Sequence, residues 1–399
     1  MSEYTEVAVL RGHQEGILSL GISVCGRFIA ATGYAGIYLW DVAQQQALRI
    51  PPPPSTMSEK HFYTRCAWLH FEETELPVLI LGSMRGDVFI WKWSAIKGGF
   101  QYTTHARCSA DSTQVLSMDV SRRSVPAEQW GCVAMCTDDG RVTVWEIKCT
   151  ADHLRRKFVL GPEPALEPAH RPRTVKFDLR SQTISTFSVF GGIMIRYHID
   201  TGDRAGVRVD GPDLMASVAV DNHRSIFAAH TGTSIELHSL QRQKHLRTIA
   251  VEEPDVHYPM YMCFSEDGNI LISGTDKGRA TIYDSINGDV IQTLPYPMGG
   301  LVQQVEACTT ADFHLIAIAG SSIRRSADVI VYRKARVEPL RVRTTAPVTT
   351  SSLPDNACER PTSRSFGYAL LVVVIWTAKL GLFIYVLAKV YTVSLNYTF

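Results

Sequence analysis

Apolar and polar residues alternate along much of the chain in short runs, and each run breaks at a turn bearing glycine or aspartate. Alternation with period two sends successive side chains to opposite faces, so these runs predict β-strands. One hairpin grammar recurs: an alternating run, a glycine turn, and a second run closing on a large side chain, as in GSMRGDVFIW, CTDDGRVTVW and SGTDKGRATIYD. The closing residues are Trp40, Trp91, Trp145, Tyr197, Leu237, Tyr283 and Tyr332, with spacings of 51, 54, 52, 40, 46 and 49 residues. A repeat of this length is the mark of a four-stranded unit that cannot cover its own faces and must stack on neighbours. Seven endings predict an all-β, seven-bladed propeller over residues 1–333. A β-sandwich would not repeat one hairpin seven times.

The first unit is the clearest. From Leu10 it reads LRGHQEGILSLGISVCGRFIAATGYAGIYLWD, which resembles a WD repeat opened by Gly12-His13 and closed by Trp40-Asp41. In that family an opening His, a Ser or Thr on the second strand, an Asp in the following turn and the Trp form a hydrogen-bonded chain. The resemblance implies structural roles for His13, Thr32, Trp40 and Asp41 in blade one, where Tyr34 and Ala35 leave the turn Asp position empty. Asp139 and Asp276 stand at or near that position in blades three and six, and Trp91, Trp145, Tyr283 and Asp284 continue the pattern. A half-satisfied buried network contributes little, so strand packing is expected to carry the stability. WD propellers commonly close by lending their first strand to the last blade, and TEVAVL, residues 5–10, is a strand without a partner of its own.

Two insertions interrupt the rhythm: PPPPSTMSEKHF from Pro51, a stiff polyproline connection, and GPEPALEPAHRPR, residues 161–173, whose prolines oppose regular structure. Each reads either as a partner-contacting loop or as a tolerated surface insertion.

Composition narrows the function classes. Apolar residues make up 45% and charged residues 20%, which fits a globular chain. The net charge of +1 is unevenly spread, because residues 333–365 hold seven Arg or Lys against three acids and the first 332 residues sit near −5. An acidic head is a poor reader of phosphate backbones, so no nucleic-acid partner is expected. The nine cysteines form no CxxC pair and no Cys/His cluster at metal spacing. Cys132 and Cys136 share one strand face and are expected as small core residues; no metal or cofactor is anticipated. With free thiols and no signal peptide visible in MSEYTEVAVLRGH, the head is expected in reducing cytosol.

Residues 366–391, FGYALLVVVIWTAKLGLFIYVLAKVY, form a proline-free apolar run long enough to span a bilayer as one helix. Phe366, Tyr368, Tyr385 and Tyr391 stand where interfacial anchors would, and the arginines between Arg333 and Arg364 put the preceding side in the cytoplasm. The expected layout is thus propeller, basic linker 334–365, transmembrane helix 366–391 and a short lumenal tail 392–399, a tail-anchored protein with the endoplasmic reticulum as its organelle. Lys379 lies near the middle of the span at an insertion cost of about 2.5–3.5 kcal/mol, which the surrounding Leu, Ile, Val and Phe offset at about 0.3–0.6 kcal/mol each. It either pairs with an acidic residue on a partner helix or snorkels to the interface. Asn396-Tyr397-Thr398 is a formal glycosylation sequon expected to go unused so close to the membrane.

No phosphate loop, GxSxG elbow, HExxH pair or dinucleotide fingerprint occurs, which leads away from an enzyme and toward a membrane-tethered scaffold that binds proteins or peptides. Propeller plus C-terminal anchor also resembles the exchange factors that load GTP onto the small GTPase of COPII vesicle formation, whose first blade carries a long Gly-rich ion-binding loop. Here only ATGYAG joins the corresponding strands. From Cys263 onward, CFSEDGNILISGTDKGRATIYDSINGDVIQTL is similar in style to uncharacterised fungal WD-repeat proteins with hydrophobic tails.

Overall fold

The structure, a computed structural model, describes residues 3–54, 62–108, 113–162, 169–242, 244–256, 258–322 and 326–336. The first strand is β1 (Thr5–His13). Blade one is β2 (Ile17–Ile22), β3 (Phe28–Gly33), β4 (Gly36–Asp41) and β5 (Gln46–Leu48); blade two is β6 (Tyr63–Phe71), β7 (Leu76–Ser83), β8 (Asp87–Ser94) and β9 (Gly99–Arg107). Blade three opens with β10 (Val115–Val120), sends out the short β11 (Ser124–Val125), and continues with β12 (Trp130–Thr137), β13 (Val142–Lys148) and β14 (Arg155–Leu160). Blade four is β15 (Pro172–Asp178), β16 (Thr183–Ser188), β17 (Met194–His198) and β18 (Arg204–Arg208), and blade five β19 (Ser217–Asp221), β20 (Ile226–His230), β21 (Ser234–Ser239) and β22 (His245–Ala250). Blade six is β23 (Met262–Ser265), β24 (Ile270–Gly274), β25 (Arg279–Asp284) and β26 (Val290–Pro295); blade seven is β27 (Val302–Thr309), β28 (Phe313–Gly320) and β29 (Ala327–Ala335), completed by β1.

The blades form a closed ring. Each first strand touches the first strand of the next blade, from β2 through β6, β10, β15, β19, β23 and β27 back to β2. All seven closing residues of the sequence grammar fall on third strands and are buried. The reason is local: the third strand is covered on both faces by neighbouring blades, so it needs large apolar side chains, while turn glycines such as Gly86, Gly140 and Gly278 adopt φ of 78°, 78° and 69° that other residues disfavour. The outermost strands are largely exposed, as in β22 and β26.

Apolar packing lies between blades rather than within them. Ile29 and Trp40 of blade one meet Leu315 and Val329 of blade seven; Phe28 and Leu39 meet Trp68, Leu79 and Trp91 of blade two; equivalent clusters fill the remaining joints. Cys132 and Cys136 are buried in the joint between blades three and four, and the eight described cysteines are free thiols.

Closure follows the expected route. β1 pairs antiparallel with β29, setting Val9 opposite Ile330 and Leu10 opposite Val329, and it runs past residue 10 to His13 through a bulge after Leu10. Gly12 sits in that bulge at φ 123°, which explains the glycine of the opening Gly-His pair. Tyr4 clasps the joint: its backbone exchanges hydrogen bonds of 2.9 and 2.8 Å with the Gln292 amide, and its hydroxyl donates to Glu266 at 2.8 Å. Lys334 reaches the same Glu266 carboxylate at 2.8 Å.

Three sequence expectations need correction or lie elsewhere. The propeller does not end at residue 333, because β29 continues to Ala335 and the Arg336 N–H donates to the Asp312 carbonyl at 2.8 Å. The insertion 161–173 is not all insertion, since Pro172 and Arg173 belong to β15 and His170 is buried beneath blade four. Among the described residues no helix is long and apolar enough to cross a membrane; the linker beyond 336, the 366–391 run with Lys379 and the 392–399 tail lie outside the described residues.

Deleting residues 1–10 strips β29 of its partner and removes Ala8 and Leu10 from the closing core, Leu10 alone contributing about 1.5–3 kcal/mol. Its melting temperature is expected to fall several degrees below that of a chain ended after Arg336. Equal melting of the two truncations would show that the joint is not the weak point of the ring.

Candidate interaction face

At one end of the ring lie the second-to-third-strand turns and the connections between blades. There an open cavity of about 1,010 Å³ is lined by Leu18, Tyr34, Phe62, Val256, Tyr258 and Leu301, with Glu15, Asp276 and Gln303 among its polar members. Tyr34 stands edge-on to Phe62 with ring centroids 6.0 Å apart, and both Tyr34 and Tyr258 are substantially exposed. Three of the polar side chains here are committed to the fold. Asp276 accepts the backbone N–H of Val256 at 2.8 Å, Gln303 donates to the Pro259 carbonyl at 2.7 Å, and the Ser321 hydroxyl donates to the Ile17 carbonyl at 2.8 Å.

Below this mouth the axial channel narrows to polar cavities of about 130 and 80 Å³. Arg65 of β6 crosses it. Its guanidinium donates to the Leu116 and Leu18 carbonyls at 2.5 and 2.8 Å and to the Tyr261 hydroxyl, while lying 4.7 Å from the Tyr261 ring centroid. Toward the opposite end, β11 pairs in parallel with β6, placing Ser124 beside His70 on the inner edge of blade two. The neighbouring Arg123 spans to blade seven, where it pairs with Glu306 at 2.7 Å and donates to the Ala307 carbonyl at 3.1 Å. Lys176 and Asp119 form a further pair at 3.5 Å. The ring is therefore plugged by charge pairs, and space for a sizeable ligand remains at the face.

The WD-type positions are structural in geometry, but not by the hydrogen-bonded chain that the resemblance implies. His13, Thr32 and Trp40 do gather in blade one, yet His13 Nε2 finds no partner among the described residues, Thr32 Oγ1 has only the Cys66 thiol beside it, and Trp40 Nε1 donates to the Arg11 carbonyl at 3.2 Å. His13 instead bonds the Glu15 carbonyl through Nδ1 at 2.6 Å. Trp91 Nε1 likewise donates to the Pro51 carbonyl at 2.9 Å, and Trp145 Nε1 has only the Cys108 thiol beside it. Each indole is thus aimed at the segment that leads into its own blade, which makes the first proline of the polyproline run part of the fold.

The His/Thr pair that sequence reading assigned to blade one is formed in blade four. His170 Nε2 lies 2.9 Å from Thr186 Oγ1, which donates to the Ile195 carbonyl at 3.2 Å. The proline-rich surroundings hid this histidine, although Ala169-His170 stands one strand length ahead of β16 as Gly12-His13 does ahead of β3. The aspartates serve turns. Asp139 accepts from Thr137 Oγ1 at 2.6 Å, Asp41 accepts the Ala43 N–H at 3.1 Å and the Arg27 Nε–H at 2.7 Å, and Asp284 accepts the Ile286 N–H at 2.7 Å. Tyr283 is buried on β25.

Glu236, His238 and His245 bring potential metal-ligand atoms within 4.8 Å of one another. Their hydrogen bonds oppose a cation. Arg208, which is buried at the joint between blades four and five, donates to His238 Nδ1 at 2.8 Å, so the proton of a neutral His238 sits on Nε2, 3.0 Å from Glu236. Coordination at Nε2 would force Nδ1–H against the guanidinium, and burial together with Arg208 already depresses protonation of this ring.

The turn between β3 and β4 contains only Tyr34 and Ala35, so blade one offers no long Gly-rich loop of the kind the exchange-factor alternative requires.

Burial lowers the His170 and His230 pKa values to about 4. Because the unfolded values lie near 6.5, the unfolded chain binds more protons between roughly pH 6.5 and 4, and stability falls as pH drops through that window. Each histidine contributes a slope of at most about 1.4 kcal/mol per pH unit. Thermal melts at pH 7.5, 6 and 5 should show this loss, flattened in a His170→Gln/His230→Gln double variant. A parent and double variant with parallel pH curves would assign the loss to other groups.

Residues 4–41, from the closing strand through β4, match the family described as WD domain, G-beta repeat. No curated protein matches the chain.

Proposed function

We propose, from the premise that the chain is a WD40-repeat protein, that it is a platform which binds other proteins at the open face of its propeller and is held on a membrane by its C-terminal apolar run. The observation that carries the reading is the cavity of about 1,010 Å³ at the mouth of a plugged channel, with Tyr34 and Tyr258 exposed on it. Exposed aromatic side chains on a rigid frame give contact area at little ordering cost, which is what recognition of another chain uses. Propellers of this family generally act by binding rather than by catalysis. The polar groups around the mouth agree with a binding role, since Asp276, Gln303 and Ser321 are bonded to backbone groups of the fold.

Tethering rests on sequence: the 366–391 run, the arginines before it and the interfacial aromatics support a single span with the propeller in the cytosol at the endoplasmic reticulum. On this reading Lys379 meets an acidic residue of a partner helix or reaches the interface along a tilted helix.

Proximity labelling in cells tests both halves. The full chain should label a set of neighbours that largely disappears when the chain is ended before Phe366, and a Tyr34→Ser/Tyr258→Ser variant should keep its membrane fraction after alkaline carbonate while losing part of that set. Release of the full chain by carbonate would remove the tether. Labelling unchanged by the tyrosine substitutions would remove the face.

A further inference from the structure

The waist of the axial channel carries positive charge that the fold does not match. Leu18 and Gln303 line the mouth, and the residues that follow them, Ser19 and Gln304, line the polar cavity of about 130 Å³ beneath it. At roughly 30 Å³ for each molecule of liquid water, that volume holds about four waters or one small ion. Its walls come from blades distant in sequence: Ser19 lies on β2 of blade one, Arg65 on β6 of blade two, Lys176 on β15 of blade four and Gln304 on β27 of blade seven.

Four cations, Arg65, Arg123, Arg173 and Lys176, line this cavity or the adjoining one of about 80 Å³, against two carboxylates, Asp119 and Glu306. Arg123 holds Glu306 at 2.7 Å, and Arg173 reaches Asp138, which lines neither cavity, at 3.5 Å. Lys176 stands 3.5 Å from Asp119, whose Oδ2 takes the Phe177 N–H at 2.8 Å, and its ammonium makes no hydrogen bond among the described residues. Arg65 has no carboxylate. Its Nε–H goes to the Leu116 carbonyl at 2.5 Å, its Nη1–H groups to those of Leu18 and Thr64 at 2.8 and 3.0 Å, and Nη2 to the Tyr261 hydroxyl. One of its five N–H groups is left over, and its charge meets only neutral dipoles. Even with Asp138 counted, one positive charge stands unmatched.

Two buried polar side chains line the same space without a partner. Gln304 is 5% exposed, and its amide makes no hydrogen bond among the described residues. Trp68 is 4% exposed, and its indole Nε1–H has none either. Beside it lies Gly21, where a Cβ would stand 3.1 Å from Nε1, so the glycine keeps room next to the indole. Water would bond these donors and leave the charge standing, whereas an oxyanion answers both.

We propose that the channel waist binds one free tetrahedral oxyanion of the size of inorganic phosphate, with Arg65, Lys176 and the Gln304 amide as its donors. Bound there, the ion ties blades two, four and seven through a single charge, so the closed ring gains stability as the ion's concentration rises. The Arg65 guanidinium lies across the channel, and the cavity has room for the ion and little else. The ion sits below the mouth, so this site and the platform reading stand or fall separately.

The test is calorimetric titration of the full chain in detergent with sodium phosphate up to about 10 mM, the ionic strength being held with sodium chloride. One site should saturate with a dissociation constant below about 1 mM, and the melting temperature should rise by about 2 °C at ten times that constant. Gln304→Leu and Lys176→Met should each weaken binding tenfold or more, and Arg65→Met should abolish it, while Tyr34→Ser leaves it unchanged. Melting curves without phosphate establish that each variant is folded, and a general salt effect would be shared by all of them. AMP and a short phosphoserine peptide report phosphate attached to a larger molecule, and neither should bind. No saturable binding of phosphate overturns the proposal, as does binding that Gln304→Leu and Lys176→Met both leave intact. Binding of AMP or the phosphopeptide in the absence of phosphate binding assigns the donors to a partner's phosphoryl group and overturns the free-ion site.

Discussion

The pairing of β1 with β29 is the contact on which the rest of this structure depends. Its importance comes from where the apolar area lies. Each blade is a twisted sheet of four strands, with β11 as a short fifth in blade two, and its two apolar faces are covered by the neighbouring blades. A ring of such units has no stable terminal member, because an open joint would leave two faces wet and a strand edge unpaired. Closing blade seven with the chain's first strand joins residues more than three hundred positions apart. Tyr4, Gln292, Glu266 and Lys334 then fasten the seam from outside with polar contacts that exclude slippage.

Closing a ring of first strands creates a hole, and how it is filled directs function. Arg65 with Tyr261, and Arg123 with Glu306, bridge the channel between blades that are not neighbours in sequence. Their charges satisfy backbone carbonyls that would otherwise face a narrow polar space, so the plug both stabilises the ring and removes it as a through-passage. What remains for a partner is the face carrying Tyr34 and Tyr258. The joint between blades four and five encloses a charged group, Arg208, which is bonded to the buried His238 beside the apolar side chains.

The family's hydrogen-bonded chain survives here only in fragments. Blade four keeps the His170 to Thr186 contact, blade three keeps Thr137 with Asp139, and three tryptophans turn their indoles toward the connections entering their blades. The pieces are interchangeable because each supplies the same service, holding the entry to a blade against its third strand. Packing between blades supplies the rest, which is why degraded repeats still close.

Much of this was legible in the residues. Period-two alternation, turn glycines and a large side chain at the end of each third strand are local consequences of strand geometry, so seven blades could be counted from Trp40 to Tyr332, and the spare strand at residues 5–10 pointed to the closure. The apolar run at 366–391 is likewise a sequence property, and the proposed tether rests on the sequence alone. The site was not legible. His170 was taken for part of an insertion, and Arg65, Arg123, Tyr258 and His230 carry no local signal, because each matters through groups brought to it from another blade. Alternation determines which way a side chain points from its own strand; only the closed ring decides what it meets there, since that depends on the angle and register between sheets distant in sequence.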